Sequence, residues 1–346
     1  MSPAPRWLAA SAAALLALGL AACSTGTDDA ADDATTTAAG TDFEPVTIEH
    51  AFGTTVIEEQ PERIATVAWA NHEVPLALGI VPVGMAAANF GDDDGDGMLP
   101  WVEERLAELG GETPVLFDEG DGIDFEAVAG TDPDVILAAY SGLTQEDYDT
   151  LSEIAPVVAY PDNAWGTDWR EMIEYNAAGM GMAAEGDELI ADLEQEMADE
   201  VAAYPQLEGT TVAFMTHVDP TDLSEISFYS THDTRVSFFS DLGLTDPQSV
   251  LDASAATDEF AITVSTEQAD TFSDVDVIVT YGDESMIEAL AADPVLSQIP
   301  AVANGAVVAL PSDQPLGTAA NPTPLAISWV LDDYLSLIAT AADRAA

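Results

Sequence analysis

The sequence contains no lysine, and its 6 basic residues are all arginines, against 64 acidic residues in a chain of 346. The formal net charge is -58. Nucleic acids and anionic membrane surfaces are bound through lysine and arginine, which neutralise phosphates, so this composition excludes both as partners. Such self-repulsion is tolerable in concentrated salt, because the screening length falls to about 3 Å near 1 M ionic strength. The acidity therefore indicates a halophilic proteome, while 48% hydrophobic residues predict a folded chain.

Cysteine occurs once, as Cys23, which excludes an intrachain disulfide. Arg6 and a short apolar run precede it, a layout typical of a secretory signal peptide over residues 1–22. The letters LAAC at 20–23 resemble the lipobox of bacterial lipoproteins, in which the cysteine carries the lipid. An ordinary signal peptide with an incidental cysteine is the alternative. We expect a lipid such as palmitate on Cys23 at the outer face of the cell membrane, followed by a flexible acidic tether over 23–42.

An acidic loop, GDDDGDGMLPWVE over residues 91–103, has the spacing of a twelve-residue calcium loop. Carboxylates stand at positions 1, 3, 5 and 12, with a glycine at 6: Asp92, Asp94, Asp96 and Glu103, with Gly97. A calcium sensor is not favoured, because the loop occurs once and follows a strand-like segment. The spacing predicts a structural calcium ion that holds Trp101 in place. The alternative is solvated acid near the positive end of the helix that follows.

Predicted strands and helices alternate from residue 43 onward. RIATVAW and VPVGMA are typical of strands, and HEVPLALGI and PWVEERLAELG of helices. After residue 206 the alternation resumes with strands such as TTVAFMTHV, VDVIVTYG and AVVALP. Such alternation predicts an α/β fold with mainly parallel sheets. We therefore expect an N-terminal α/β lobe over 43–165 and a C-terminal α/β lobe over 206–346.

Residues 166–205, between the two lobes, are almost wholly helical in pattern. Apolar residues form one stripe at helical spacing: Leu189, Ile190, Leu193, Met197 and Val201. The pattern predicts that a single long helix bridges the lobes.

This organisation resembles the substrate-binding proteins of ABC importers for iron-siderophores, haem and vitamin B12. The phrases that carry the resemblance include AFGTTVIEEQPERIATVAW, EVPLALGIVPVG, TDPDVILAAYSGLTQEDYDTLSEIAPVVAYP, WGTDWREMI and TRVSFFSDLG. Together they are most similar to the siderophore-binding lipoproteins of actinobacteria. The resemblance implies a monomeric receptor with a ligand cleft between the lobes, which delivers a ferric siderophore to the permease of an ABC importer and requires no cofactor. A haem or corrinoid receptor of the same fold is the alternative.

The resemblance also implies a set of residues that line the cleft: Trp69, Trp101, Tyr140, Trp165, Arg170, Tyr229, His232 and Arg235. Aromatic faces suit the apolar shell of a wrapped iron complex, and arginine suits a ligand oxygen. The alternative for each tryptophan is a place in the core. For Arg170 it is an ion pair with Asp168, Glu171 or Glu174.

In the resembling family an acidic residue on each lobe meets arginines of the permease. Glu73 and Asp241 stand at the matching positions, although abundant surface acid is the alternative explanation for both.

Two other classes of function are weaker. A zinc or manganese receptor would need several histidine ligands, and His50, His72, His217 and His232 stand singly in the sequence. An enzyme would need a glycine-flanked nucleophile, a phosphate loop or a dinucleotide motif, and none is found in the sequence.

The shortage of cations constrains the charge of the ligand. Ferric tris-catecholates carry about three negative charges, which need several cations in the cleft to offset their desolvation. The mature chain has five arginines, of which only Arg235 and Arg170 are placed for a pocket. We therefore expect a neutral or cationic complex, such as a ferric hydroxamate of the desferrioxamine type.

Overall fold

The N-terminal lobe is built around a five-stranded parallel sheet. The computed structural model describes residues 43–345, so the predictions for 1–22, Cys23 and 23–42 lie outside the described residues. The strands lie in the order β5-β4-β3-β6-β7. The elements follow in chain order: β1 (Val46–His50) and β2 (Gly53–Ile57) as an antiparallel hairpin, β3 (Ile64–Thr66), α1 (Glu73–Ala77), β4 (Gly84–Ala86), α2 (Pro100–Leu109), β5 (Val115–Phe117), α3 (Phe125–Gly130), β6 (Val135–Ala138), α4 (Gln145–Ser152), β7 (Val157–Ala159) and α5 (Trp169–Gly179).

The strand order of this lobe positions the site. From β3 the chain adds strands in one direction, and from β6 it adds them in the other. Loops that leave neighbouring strands in opposite directions open a crevice at the carboxyl ends of the strands. β3 and β6 are buried at every position, which explains why both are continuous apolar runs in the sequence. The loops after β3 and β6 therefore border the crevice.

Residues 166–205 contain two helices, and the second of them is the predicted single long helix between the lobes. α5 ends at Gly179, and α6 runs from Ala183 to Val201. Gly181 lies between them with φ of 69°, a conformation that breaks the helix. α5 packs on α1 and on strands of the N-terminal lobe, whereas α6 packs against α5 and the last helix of the chain. Only α6 therefore makes the crossing.

The C-terminal lobe holds a second five-stranded sheet. Its strands lie in the order β10-β9-β8-β11-β12, and only β9 is antiparallel to its neighbours. The elements are β8 (Val212–His217), β9 (Glu225–Tyr229), α7 (Thr234–Asp241), α8 (Gln248–Ser254), β10 (Ala261–Ser265), β11 (Val277–Tyr281), α9 (Glu284–Ala292), α10 (Pro300–Ala303), β12 (Val307–Leu310), α11 (Pro315–Ala319) and α12 (Pro324–Ala345), with 3-10 turns at Pro205–Leu207, Thr266–Asp274 and Leu296–Gln298. The predicted α/β fold with two lobes is confirmed.

The last helix, α12, joins the two lobes a second time. By length and composition it is the one helix among residues 43–345 that could span a membrane. Its apolar face, however, is buried inside the protein: Ile327, Val330, Tyr334 and Ile338 are almost fully covered. It packs on β11 and β12 of the C-terminal lobe, on α1 and α2 of the N-terminal lobe, and on α6. α12 is therefore a core helix of this fold.

A buried carboxylate receives the start of α12. Glu73 is 0% exposed; one of its oxygens accepts a hydrogen bond from Trp101 Nε1 at 2.7 Å and the other from the Leu325 backbone N–H at 2.8 Å. Burial raises the pKa of Glu73, and these hydrogen bonds oppose that shift. The negative charge faces the positive end of the helix, which favours the ionised form. Glu73 ties α1 to α12.

This contact corrects two predictions. Glu73 cannot meet a permease, because its carboxylate has no exposed surface. Trp101 is 4% exposed, and its ring packs against that of Trp329 with 5.2 Å between ring centroids. It is therefore a core residue and lies outside the ligand cleft.

Replacing Glu73 with glutamine tests whether its carboxylate stabilises the fold. Both carboxylate oxygens accept from N–H groups, so an amide must turn its own NH₂ toward one of these donors. We expect Glu73→Gln to lower the free energy of unfolding by about 1–3 kcal/mol in urea titrations. Glu104→Gln, an exposed position on α2, is the matched control and should change it by less than about 0.5 kcal/mol. Equal stability of the two variants would contradict this description of Glu73.

Candidate functional site

Two adjoining cavities lie at the carboxyl edge of the N-terminal sheet. The first, the N-lobe cavity, has a volume of about 350 Å³ and is lined by residues that follow β3, β4, β5 and β6, among them Trp69, Glu119 and Gly142. The second, the interlobe cavity, has a volume of about 770 Å³. Loop 163–168 of the N-terminal lobe faces residues 231–237 and 258–260 of the C-terminal lobe across it. Trp165 lines both cavities, so they form one candidate cleft.

The two tryptophans of this cleft lie on strained backbone. Ala68 and Ala70, on either side of Trp69, have φ of 61° and 60°, and Trp165 has φ of 59°. Left-handed φ at a non-glycine residue costs on the order of 1–3 kcal/mol, and such strain concentrates at functional sites. Three of the four such residues in the described part of the chain therefore mark this cleft.

The ring of Trp165 is held by its neighbours. Its backbone N–H donates to the Ser141 carbonyl at 2.9 Å, and its ring lies edge-on to that of Tyr140 with 5.4 Å between centroids. A Cβ atom added at Gly142 would come within 2.3 Å of the indole Nε1. Even so, Trp165 is 47% exposed, which leaves much of the indole free to contact a ligand.

Arg235 provides the cation on the C-terminal side. Its Nε and Nη2 donate to the two oxygens of Asp233, both at 2.7 Å, and Nη1 donates to the Tyr281 hydroxyl at 3.3 Å. The guanidinium also lies 3.8 Å from the centre of the Tyr229 ring. Burial lowers the pKa of Arg235, but the bonds to Asp233 outweigh it, and the net shift is upward. Within residues 43–345 the other two of its five N–H groups have no acceptor, and Asp233 balances its charge.

Several predicted residues are thus brought together. Trp69 and Trp165 line the cleft on the N-terminal side, and His232 lines it on the C-terminal side. Tyr140 is buried against the Trp165 ring, Tyr229 is buried under the Arg235 guanidinium, and Arg235 bonds to Asp233 of the lining. Asn321 lies between the two groups: its Nδ2 donates to Tyr140 at 3.5 Å, and its Oδ1 accepts from Thr234 at 2.8 Å. Contact of these residues with a ligand stays a prediction.

Arg170 does not belong to this group. Its guanidinium bonds to Asp241 at 2.9 Å and to Glu194 at 2.7 Å, which joins α5 to α6 and α7. Arg170 thus forms ion pairs, but not with the residues expected as the alternative: Asp168 contacts the backbone N–H of Arg170, and the acidic partners of the guanidinium are Glu194 and Asp241. Asp241 also accepts from Trp169 Nε1 at 2.9 Å. The docking role predicted for Asp241 would require this network to open.

The four histidines have different surroundings. His50 bonds to Thr55, His72 is buried with its pKa lowered to about 4 by burial, and His217 stacks on Tyr281. His232 contacts the carbonyls of Ser254 and Thr257. Between residues 43 and 345, no group of histidines has the spacing of a zinc or manganese site.

The cleft is acidic, and sequence reasoning missed the acids that matter most in it. Glu119 lines the N-lobe cavity, accepts from the Ala68 backbone N–H at 2.9 Å, and has its pKa raised to about 7 by burial. The other acidic lining residues are Asp147, Asp168, Asp233, Asp258 and Glu259. Asp233 could have been found as an N-cap two residues before Arg235. Nothing in the sequence distinguishes Glu119 from its acidic neighbours.

Three of the four predicted calcium ligands in the acidic loop before α2 lie close together. Oxygens of Asp92, Asp94 and Asp96 lie within 4.8 Å of one another. Burial and the nearby charges of Asp96, Asp94 and Asp93 raise the pKa of Glu103, but Glu103 is not part of this close group of three carboxylates. Backbone N–H groups of the loop itself also bond to these aspartates, as they would in solvated acid. The calcium ion stays a prediction.

A family model described as periplasmic binding protein matches residues 64–314. A probable siderophore-binding lipoprotein of Bacillus subtilis, YfiY, is 32% identical over 155 residues, which is 44% of this chain and 44% of that protein. The chain thus aligns with less than half the length of this relative.

Two solved structures are similar over a larger part of the chain. PiaA of Streptococcus pneumoniae in complex with ferrichrome has a TM-score of 0.82 and 45% identity, over 86% of this chain and 99% of its own. A periplasmic solute binding protein from Mycobacterium smegmatis has a TM-score of 0.71 and 26% identity, over 86% of this chain and 99% of its own.

Substitution of Gly142 tests the position of the Trp165 ring. We expect Gly142→Ala to push the indole outward and to increase acrylamide quenching of tryptophan fluorescence, because the added methyl would overlap the ring. The increase should vanish in a Trp165→Phe background. Gly130→Ala, where a Cβ meets open space, is the control and should leave quenching unchanged. Identical quenching in both glycine variants would show that the ring lies elsewhere.

Terbium titration tests the calcium loop. We expect one terbium ion to bind per chain, with luminescence sensitised by the nearby Trp101, and Asp96→Ala to weaken binding at least about tenfold. Asp121→Ala removes an exposed acid outside the loop and should have no effect. Unchanged binding in Asp96→Ala would leave the loop as solvated acid.

Proposed function

The chain belongs to the periplasmic binding protein family, and from this premise we propose that it binds a ferric siderophore and delivers it to the permease of an ABC importer. The chelated iron is the transported substrate, and the chain acts as a binding protein rather than as an enzyme. The Bacillus relative is named a probable siderophore-binding lipoprotein, and the streptococcal structure is a complex with ferrichrome. Both support this proposal.

The chemistry of the cleft favours a hydroxamate. The aromatic side chains Trp69 and Trp165, which line the cavities, can cover part of the apolar shell of a wrapped iron complex. Arg235 can donate to a ligand oxygen through its two remaining N–H groups. These features suit a compact, neutral complex such as a ferric tris-hydroxamate.

The balance of charge is the observation that carries the proposal. Asp233 neutralises Arg235, and Arg170 is taken up by Asp241 and Glu194, so no unbalanced cation from the described residues faces the cleft. A ferric tris-catecholate, with about three negative charges, would lose its hydration beside several carboxylates without compensation. A neutral or cationic complex avoids that cost.

The proposed function also implies where in the cell the protein works. We propose that the chain is exported, carries a lipid on Cys23, and works as a monomer at the outer face of the cell membrane. The LAAC segment supports the lipid, and the Bacillus relatives are named lipoproteins.

Titrations of tryptophan fluorescence test the ligand class, because Trp69 and Trp165 line the cleft. We expect a ferric tris-hydroxamate to bind at least about tenfold more tightly than a ferric tris-catecholate, a gap of about 1.4 kcal/mol, at both low and high salt. Arg235→Ala should weaken hydroxamate binding, whereas Arg344→Ala, whose guanidinium bonds to the Gly305 carbonyl, should not. Tighter binding of the tris-catecholate at both salt concentrations, or of haem or cobalamin, would overturn the proposal.

A further inference from the structure

Glu119 is a poorly compensated carboxylate in the wall of the N-lobe cavity. It follows β5 at the carboxyl edge of the sheet, and the Ala68 backbone N–H is the one donor that bonds to it among residues 43–345. An ionised carboxylate has room for several hydrogen bonds, and a partly buried one with a single donor is costly. The site therefore lacks a partner for this charge.

The protein supplies no cation to Glu119 from the part of the chain that the structure describes. Each arginine of that part is engaged elsewhere: Arg63 with the carbonyls of Thr131 and Asp132, Arg105 with Glu108, Arg170 with Asp241 and Glu194, Arg235 with Asp233, and Arg344 with the Gly305 carbonyl. The pKa of Glu119, raised to about 7 by burial, is consistent with this missing counter-charge.

The remaining walls of the cavity suit a cation. Trp69 and Trp165 both line it, and indole faces attract ammonium groups. Asp147, at the start of α4, adds a second carboxylate to the lining. One of its oxygens accepts hydrogen bonds from the backbone N–H and the hydroxyl of Thr144. A volume of about 350 Å³ holds a short alkyl chain with a charged end, while the adjoining cavity of about 770 Å³ has more room for the iron complex.

We propose that the N-lobe cavity binds an alkylammonium arm of the siderophore, with Glu119 as its counter-charge and the rings of Trp69 and Trp165 as its walls. This inference rests on the proposed function and narrows the ligand to ferric hydroxamates that carry a primary amine. Trp165 lines both cavities, so an arm and an iron centre can be held on either side of one indole.

A matched pair of iron complexes tests the inference. Ferrioxamine B ends in a primary ammonium, and its N-acetyl derivative carries a neutral acetamide in place of that ammonium. We expect the wild type to bind ferrioxamine B at least about tenfold more tightly at pH 8. Salt at about 1 M screens the attraction of a cation to the overall negative charge of the protein, but screens a partly buried pair much less. The preference for ferrioxamine B should therefore persist at this salt concentration.

Two variants assign the preference to the cavity. Glu119→Gln keeps an acceptor for the Ala68 N–H and should bind both complexes about equally, with its affinity for the acetylated one unchanged. Asp121→Asn removes one negative charge at an exposed position in the same loop and should keep the wild-type preference. Trp165→Leu, which keeps Glu119, should reduce the preference partially and serves as an independent variant if Glu119→Gln does not fold.

The dependence on pH gives a further readout. Titratable side chains that line this cavity are Glu119 and Asp147. As the pH rises through about 7, Glu119 ionises while the amine stays charged, so the preference for ferrioxamine B should grow and then level off. Glu119→Gln should lack this rise.

The outcomes separate the two proposals. Equal affinity of the wild type for the two complexes would overturn the ammonium site and leave siderophore binding intact. A preference that survives in Glu119→Gln would also overturn it, because the attraction would then come from elsewhere. Failure of the wild type to bind either complex would count against the proposed function itself.

Discussion

One buried amide, that of Asn71, connects the parts of the N-terminal lobe on which the cleft depends. Its Nδ2 donates to the carbonyls of Val67 and Tyr140 at 2.8 and 2.9 Å, and its Oδ1 accepts from the Tyr140 N–H and from Asn176 Nδ2, both at 3.0 Å. The loops after β3 and β6 are thereby joined where the strand order reverses, and α5 is joined to both. With both donors and the acceptor used, the amide holds Trp69 on its strained backbone and Tyr140 beside Trp165.

The charges near the cleft limit which ligands it can bind. The surface is almost without cations, and the one arginine beside the cleft is bonded to Asp233. Arg170, in turn, joins three helices across the lobes through Asp241 and Glu194. These arginines thus bond to acidic residues of the protein itself, and the cleft is lined by aromatic side chains and carboxylates. This lining supports the proposal that the ligand is a neutral or positively charged complex.

The fold could be predicted because its signals are local. β3 and β6 are continuous apolar runs, which is typical of buried parallel strands. The break between α5 and α6 depends on the φ of Gly181, and no polar segment or proline marks it in the sequence.

The site was only partly predictable, since its key contacts are distant in sequence. Glu73 is separated from Trp101 by 28 residues and from Leu325 by 252, so its burial could not be inferred from its surroundings in the chain. Asn71 and Glu119 have no distinguishing pattern, and both gain their importance from residues that the sheet brings near. Trp69, Trp165 and Arg235 were found through the resemblance.

Native mass spectrometry of the protein after incubation with a mixed panel of ferric siderophores, haem and cobalamin tests most directly whether the cleft is a ferric hydroxamate site. We predict a single added mass per chain, that of a ferric hydroxamate, retained in competition with the other compounds. Retention of haem, of cobalamin or of a ferric tris-catecholate in its place would contradict the assignment.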